Sequence, residues 1–507
     1  MICTNTEFGY ETQLVNVYTY LRRGIPSVDM VGIADSAIKS VRERVKVAIT
    51  NSGLNFPSER VIVELSPCDI KKDGGRYDLP IALSILAEQE KINADVFCVG
   101  ELELSGHIRP VKSIYSGLKF LNCENKPYAI LPLANRNETI PNGIKVFYAE
   151  HLFDAYNAMK SIGTENEKDF FSEIEKTETS SEIEFYKTED EESLDSLKPK
   201  EEQKDSWNFL KYAMAVSVAG HHHIITSGKV GSGKTLVMEH FPNLLPKLID
   251  TNATERIYSV AGLSHYSNYD KRKRPFRMPH QTATIEGMCG GGVNCRPGEV
   301  SLAHSGVLFL DEVAEFRSSV LQTLRVPLEN HSVTLARAGR STVYPANFIL
   351  AMTTNPCPCG NFGSKDKTCL CSLRARELYW KKFSSPLLDR IAIRVDMNNP
   401  PKDFKNYSQN ELRSKIKKAW EAQFAREEQV FNDSLQTGQS NCLNEITEKA
   451  KKLFCEKAEQ LTLRQSGYIL KLARTVADME GHKEIYLEDM NMALTLNSGF
   501  EEIKKLM

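Results

Sequence analysis

Apolar and polar positions divide this chain into stretches of different texture. Up to about residue 160, short apolar runs mix with helical ones. Arg60–Leu65 (RVIVEL) reads as a buried strand, and Pro80–Gln89 (PIALSILAEQ) as a helix. The stretch DVFCVGELELSGHIRPV reads as a hairpin turned at Ser105 and Gly106. Residues 1–160 are therefore predicted to form an α+β domain. From 206 to 400, short strands (HHIITSG, GVLFLDE, ANFILAMTTN) alternate with helical runs such as SSVLQTLRVPLEN, the signature of an α/β domain. Residues 401–507 turn helical (NELRSKIKKAWEAQFAREE, NEITEKAKKLFCEKAEQL, SGYILKLARTVADME) and predict a helical domain. Between the first two units, 161–205 is acidic, rich in Ser and Thr and poor in branched apolar residues. It reads as a flexible linker. The fold class is multidomain α/β.

Composition narrows this picture only slightly. A chain of 507 residues exceeds what one core organises. A net charge of −2 excludes a globally basic nucleic-acid binder but leaves room for a local basic face. No apolar run approaches the ~20 residues of a membrane helix. The opening MICTNTEFGYETQ has no basic segment followed by an apolar one, so no secretory leader is expected and the cytoplasm is the expected compartment. There the 12 cysteines are expected to be free or metal-bound rather than paired.

The chemistry concentrates in the α/β stretch. Gly228–Thr235 (GKVGSGKT) fits the phosphate-loop pattern G-x-x-x-x-G-K-[ST], after a strand and before a helical run. Gly228, Gly231 and Gly233 let backbone amides, including that of Ser232, turn toward phosphates at a helix N-terminus. Lys234 is placed to reach the β- and γ-phosphates, and the Thr235 hydroxyl to hold Mg²⁺. GVLFLDE ends a second strand in two carboxylates: Asp311 for the Mg²⁺ shell and Glu312 to polarise the attacking water. FILAMTTN ends a third strand at Asn355, where an amide can orient that water; the alternative is an asparagine that merely starts the turn before Pro356. Arg390, in SSPLLDRI, offers a guanidinium that matches a γ-phosphate bidentately and can act from a neighbouring subunit; on local evidence alone a surface salt bridge is the favoured reading. These residues predict Mg²⁺-dependent hydrolysis of a nucleoside triphosphate, which the resemblance below makes ATP.

In this order the motifs resemble an AAA+ ATPase. Longer strings resemble the magnesium-chelatase-like ATPases of the ComM/YifB family: VGIADSAIKSVRERVKVAITNSGLNFP, YDLPIALSIL, RPFRMPHQT, GGGVNCRPGEVSLAHSGVLFLDE, NPCPCGNFG, SSPLLDRI and LARTVADMEG. The likeness spans nearly the whole chain except the acidic stretch. It implies a Lon-protease-like first domain, an AAA+ core and a helical lid, in a ring, taken as a hexamer, that acts on DNA as a branch-migration helicase. It also makes Arg390 the arginine finger and Asn355 the first sensor. Arg464, in LTLRQSGYILKLARTV, becomes the second sensor, with Arg474 as the alternative. The chain departs from the family where Lys229 and Val230 replace two prolines of the phosphate loop, and where DSWNFLKYAMAVSVAGHHH lacks the usual start. Lon proteases carry a serine within KDGPSAG. The corresponding Lys71–Ala82 (KKDGGRYDLPIA) has none, so proteolysis is not expected.

Three further clusters carry expectations. YDKRKRPFRMPH offers Lys271, Arg272, Lys273, Arg274 and Arg277, which serve either as a solvated face or as phosphate contacts. HSVTLARAGRSTVYPANFIL reads as a hairpin around Ala338 and Gly339. Similar hairpins of ring helicases aim basic residues into the pore, a role for Arg337 and Arg340, which are otherwise charges that flank the turn. Cys357, Cys359, Cys369 and Cys371 form two C-x-C pairs that can complete a tetrahedral zinc site; the alternative is reduced loop thiols. His221–His223 read as structural and Cys289 and Cys295 as free thiols. The competing function is a chelatase- or MoxR-like ATPase that remodels a protein partner without touching DNA.

Overall fold

The computed structural model describes residues 1–500 apart from 33–34, 69–71, 73, 124–126, 139, 142, 174–181, 188–192, 264–269, 338, 364–366, 384, 427–429, 436–440 and 460. Ala338, at the expected hairpin turn, and part of the string that departs from Lon proteases lie outside the described residues.

The first unit is built on an eight-stranded mixed sheet. Ile2–Phe8 lies inside it, antiparallel to Glu11–Arg22 and parallel to Val96–Cys98. Arg60–Ser66 is the predicted RVIVEL strand, and Asp78–Glu90 the predicted helix. Alternation along the strands sends Val15, Val17, Val61, Val63 and Leu65 to a core covered by the helices Asp78–Glu90 and Leu152–Ser161. Cys3, Phe97 and Ala129 point to the other face, under helix Ile114–Cys123. Glu101–Leu102 pairs with Ile108–Arg109, and Gly106 in the turn has φ of 92°, as the hairpin reading requires.

The second unit carries five parallel strands in the order Phe276–Arg277, Val307–Leu310, Ile349–Thr354, Ile224–Ser227 and Ile393–Asp396. The first strand in sequence thus lies between the last two, and the switch of direction beside it opens a crevice at the strands' carboxyl ends. The strands are buried on both faces, which explains why they read as unbroken apolar runs. Ile224, Val307, Phe309 and Ala351 face helix Lys204–Gly220 and the C-terminal helices Gln409–Arg426, Leu463–Glu480 and Leu487–Ser498. Ile225, Leu308, Leu310 and Met352 face Val320, Leu321, Trp380 and Phe383 on the other side.

The acidic stretch differs from a linker that is flexible throughout. Ile183 and Leu194 are buried in the core of the second unit, and Phe185 packs beside them. Glu184 pairs with Lys247 at 3.0 Å and Arg272 at 3.3 Å. A few apolar residues spaced through an acidic run are enough to anchor it. SSVLQTLRVPLEN forms two short helices, Ser318–Thr323 and Arg325–Asn330, rather than one. Among the described residues no helix is long and apolar enough to cross a membrane.

Candidate functional site

Three adjacent strands deliver their ends to one place. Past Ile224–Ser227 the chain turns through the phosphate loop into helix Lys234–Met238. Gly233 has φ of 82°, and a Cβ there would collide with the Trp207 indole. Glycine is therefore required twice over, by backbone conformation and by contact. The Trp207 indole donates to the Ser232 carbonyl at 2.8 Å, and the Gln203 side chain to the Gly231 carbonyl at 3.2 Å. The helix that lacks the family's usual start thus supports the loop from beneath. Trp207 was missed in the sequence because nothing local ties it to a loop some two dozen residues on.

Lys234 Nζ donates to the carbonyls of Gly228 (2.7 Å) and Lys229 (3.0 Å) and to Asn355 Oδ1 (3.1 Å). Burial pulls its ammonium down to about 8, while Asp311 and Glu312 act in the opposite sense. Phosphate oxygens are suited to replace those carbonyls and restore full charge. Thr235 Oγ1 donates to Asp311 Oδ1 at 2.8 Å, and Thr353 Oγ1 donates to the same oxygen at 2.5 Å. The Glu312 amide in turn donates to Thr353 Oγ1 at 2.9 Å. Thr353 therefore ties the Asp311 carboxylate to the backbone of Glu312, a role invisible in a strand of apolar and small residues. Glu312 itself sits at φ 49°, a left-handed conformation that costs a non-glycine residue about 1–2 kcal/mol. Its carboxylate accepts from the Gln281 amide at 3.3 Å. A threonine hydroxyl beside an aspartate is a hard oxygen donor set that fits Mg²⁺.

The expected arginine finger and the expected second sensor meet on one acid. Arg390, buried, pairs with Glu329 and donates to the Pro386 carbonyl; Arg464 reaches the same Glu329 oxygen at 2.7 Å. Arg474 instead is locked into the helical core by Asp478 and the carbonyls of His482 and Lys483. Glu329, on the short helix before the basic hairpin, carried no sequence signal.

The four thiols converge. Cys357, Cys359 and Cys369 lie 3.3, 3.6 and 3.7 Å apart pairwise, and all four sulfurs fall within 4.8 Å of one another. Disulfide bonding needs about 2.05 Å. Tetrahedral coordination at about 2.3 Å per sulfur sets sulfurs about 3.8 Å apart. The backbone amide of Asn361, before neighbouring thiols, pulls Cys359 down to about 6, whereas burial pushes Cys357 up to about 12 and Cys371 upward. A Cβ on Gly360 would strike Val230, so this loop presses directly on the phosphate loop. Trp380 holds its start by donating to the Pro356 carbonyl at 3.1 Å.

The basic clusters fare differently. Arg272 is engaged by Glu184 and the Leu248 carbonyl, Arg274 by the carbonyls of Pro246 and Ser305, and Arg277 by both oxygens of Glu299. Of that run, Lys273 is exposed and Lys271 half-buried. Arg337 and Arg340 form the last pair of the antiparallel strands Ser332–Arg337 and Arg340–Pro345, both exposed at the tip. The histidines are structural: His222 contacts Thr475 at 2.8 Å and His223 accepts the Leu350 amide at 3.1 Å. Cys289 and Cys295 are free.

A phosphate loop, two carboxylates on the next strand but one and a polar sensor between them define a P-loop core of the AAA+ kind. The chain belongs to the ComM/YifB family of magnesium-chelatase-like proteins. Residues 205–404 match the family described as magnesium chelatase, subunit ChlI, with related matches at 17–135 and, for its C-terminal region, 406–497. The chain is 29% identical to competence protein ComM of Haemophilus influenzae, over 100% of this chain and 99% of that one. It is 30% identical to the uncharacterized protein YifB of Escherichia coli, over 95% and 93%. To an uncharacterized protein of Mycobacterium tuberculosis it is 33% identical, over 77% and 75%. This kinship supports an ATPase like ComM.

Proposed function

We propose that the protein is a Mg²⁺-dependent ATPase that works in the cytoplasm as a homo-oligomeric ring, taken as a hexamer, and drives branch migration or unwinding of DNA. The convergence of Lys234, Thr235, Asp311, Glu312 and Asn355 at three neighbouring strand ends carries the ATPase reading. In this reading the loop amides and Lys234 grip the phosphates of ATP. Thr235 and Asp311 hold Mg²⁺, which when bound neutralises charge on the phosphates. Glu312 takes the proton of the attacking water, and Asn355 orients that water while already bonded to Lys234. Arg390 and Arg464 reach a neighbouring subunit's γ-phosphate, exchanging Glu329 for it. The first domain is a non-proteolytic Lon-like unit and the last a helical lid.

The DNA part rests on the exposed tip of Arg337 and Arg340 and on kinship to a competence protein. Single-stranded or branched DNA is expected to stimulate hydrolysis several-fold. The Arg337→Ala/Arg340→Ala protein should lose that stimulation while keeping its DNA-independent rate. Absence of stimulation in the parent, with no movement of a synthetic four-way junction, favours the remodelling of a protein partner instead. The internal engagement of Arg272, Arg274 and Arg277 is the observation on that side.

The four cysteines are proposed to bind one structural zinc ion that holds the loop after Asn355 against Val230. Elemental analysis of protein purified without chelator is expected to give about one zinc per chain, as a closed four-sulfur site holds. Cys357→Ser should lower both the zinc content and the ATPase rate. Metal-free protein with full activity would refute the assignment.

A further inference from the structure

The first domain docks on the basic hairpin. The Gly9 amide donates to the Asn294 carbonyl at 3.1 Å, the Tyr10 amide to Thr342 Oγ1 at 2.9 Å, and the Arg256 guanidinium lies 4.0 Å from the Tyr10 ring centre. Beside these contacts the two units part, and a cleft of about 350 Å³ opens between them. Arg76 and Lys112 line it from the first domain; Arg296, Arg337 and Arg340 line it from the ATPase core. Glu7 is the single carboxylate in the lining.

That carboxylate is already answered. Arg76 Nη1 donates to Glu7 at 2.9 Å, and its Nη2 to Asn5 Oδ1 at 3.0 Å and the Lys112 carbonyl at 3.2 Å. Its Nε is buried without an acceptor, an arrangement that costs free energy unless a ligand supplies one. Lys112, Arg296, Arg337 and Arg340 are all exposed, and no second acid of the cleft offsets them. Like charges gathered this way repel until an anion bridges them.

The shape says what kind of anion. A second cavity of about 210 Å³ continues past Arg340, shares Thr6, Glu7 and Phe8 with the first and adds one further acid, Glu11. A lone phosphate fills one end and leaves the other empty, whereas a strand of linked phosphates runs through both. Arg340 already lies 5.2 Å over the Phe8 ring, so the groove also presents an aromatic and cationic face of the sort that receives bases. Planar guanidinium forks predominate over ammonium groups, which suits phosphodiesters.

We propose that the first domain is one wall of a single-strand nucleic-acid track. Arg76 and Lys112 hold backbone phosphates on one side, and Arg296 and Arg340 hold them on the other, directly beside the hairpin tip. The inference rests on the nucleic-acid reading above and gives the first domain a task other than proteolysis.

The test is anisotropy of a fluorescent oligothymidylate bound to the full-length protein across a salt series. Lys112→Gln/Arg296→Gln is expected to weaken binding about tenfold at low salt and to flatten the log–log salt slope by about 1.4, roughly 0.7 for each lost single-strand phosphate contact. Lys112→Arg/Arg296→Lys keeps the charge and should bind like the parent, which separates lost charge from a damaged fold. Parental affinity and slope in the neutral variant would take the first domain off the track while leaving the hairpin reading intact. Competition by polyglutamate as strong as by unlabelled oligonucleotide would make the cleft an acidic-peptide site and overturn the inference. A parent that binds no oligonucleotide removes the nucleic-acid reading and this inference with it.

Discussion

Glu312→Gln is expected to abolish turnover while sparing nucleotide binding. The glutamine keeps the size of the side chain and the backbone bond to Thr353, so the pocket around Lys234 and Thr235 stays assembled. What disappears is the base. Loss of positioned proton transfer costs about 10²–10⁴-fold in rate, while the phosphate contacts of the loop and Lys234 do not involve this carboxylate. Stopped-flow binding of a fluorescent ATP analogue should therefore match the parent, and phosphate release should fall by at least about a hundredfold. Hydrolysis within a few-fold of the parent would show that another group activates the water. The same variant is the control for movement of a four-way junction, because it separates ATP-driven migration from simple binding.

Arg390→Ala should remove hydrolysis as thoroughly, but by a different route. Within its own chain Arg390 is held by Glu329 and the Pro386 carbonyl, alongside Arg464. None of these partners belongs to the phosphate site formed by Lys234, Asp311 and Asn355. A neighbouring subunit's γ-phosphate is the partner proposed for this guanidinium. A finger supplied from a neighbour is worth about 10³–10⁵ in rate, so a loss near a thousandfold is expected in the assembled protein. The decisive measurement is mixing. Arg390→Ala subunits retain an intact Glu312, and Glu312→Gln subunits retain an intact finger. Some boundaries in a mixed ring combine the two intact halves, and part of the activity should return. No recovery, in mixtures shown to co-assemble, would make Arg390 a residue of its own subunit's fold.

The nucleotide site was legible to different depths. The phosphate loop announced itself because glycines, a lysine and a threonine must occur at set spacing wherever amides wrap a phosphate. Asp311 and Glu312 followed from an apolar strand ending in two acids, and Asn355 from a third such strand. Thr353 did not, since a threonine at the end of a buried strand is ordinary until its hydroxyl is seen between Asp311 and the Glu312 amide. Trp207 and Gln203 escaped for a similar reason: both act on the loop from a helix that precedes it in the chain. The basic run at 271–277 read equally well as surface or phosphate contact. Only the partners of Arg272, Arg274 and Arg277 show that most of its charge is turned inward.

Local pattern and spacing by themselves determined the α+β first unit, the α/β core, the helical end and the strand–loop–helix setting of the phosphate-loop motif, because those depend on periodicity and on short motifs. Tertiary structure alone decided three things. It brought four cysteines within 4.8 Å and set their loop against Val230. It placed Arg390 and Arg464 on one carboxylate, Glu329. It docked the first domain beside the hairpin, so that Arg76 and Lys112 face Arg296 and Arg340 across one cleft. The cysteine loop against Val230, the two arginines on Glu329 and the two walls of the cleft each join residues far apart along the chain, and composition holds no record of which distant segments will share a surface.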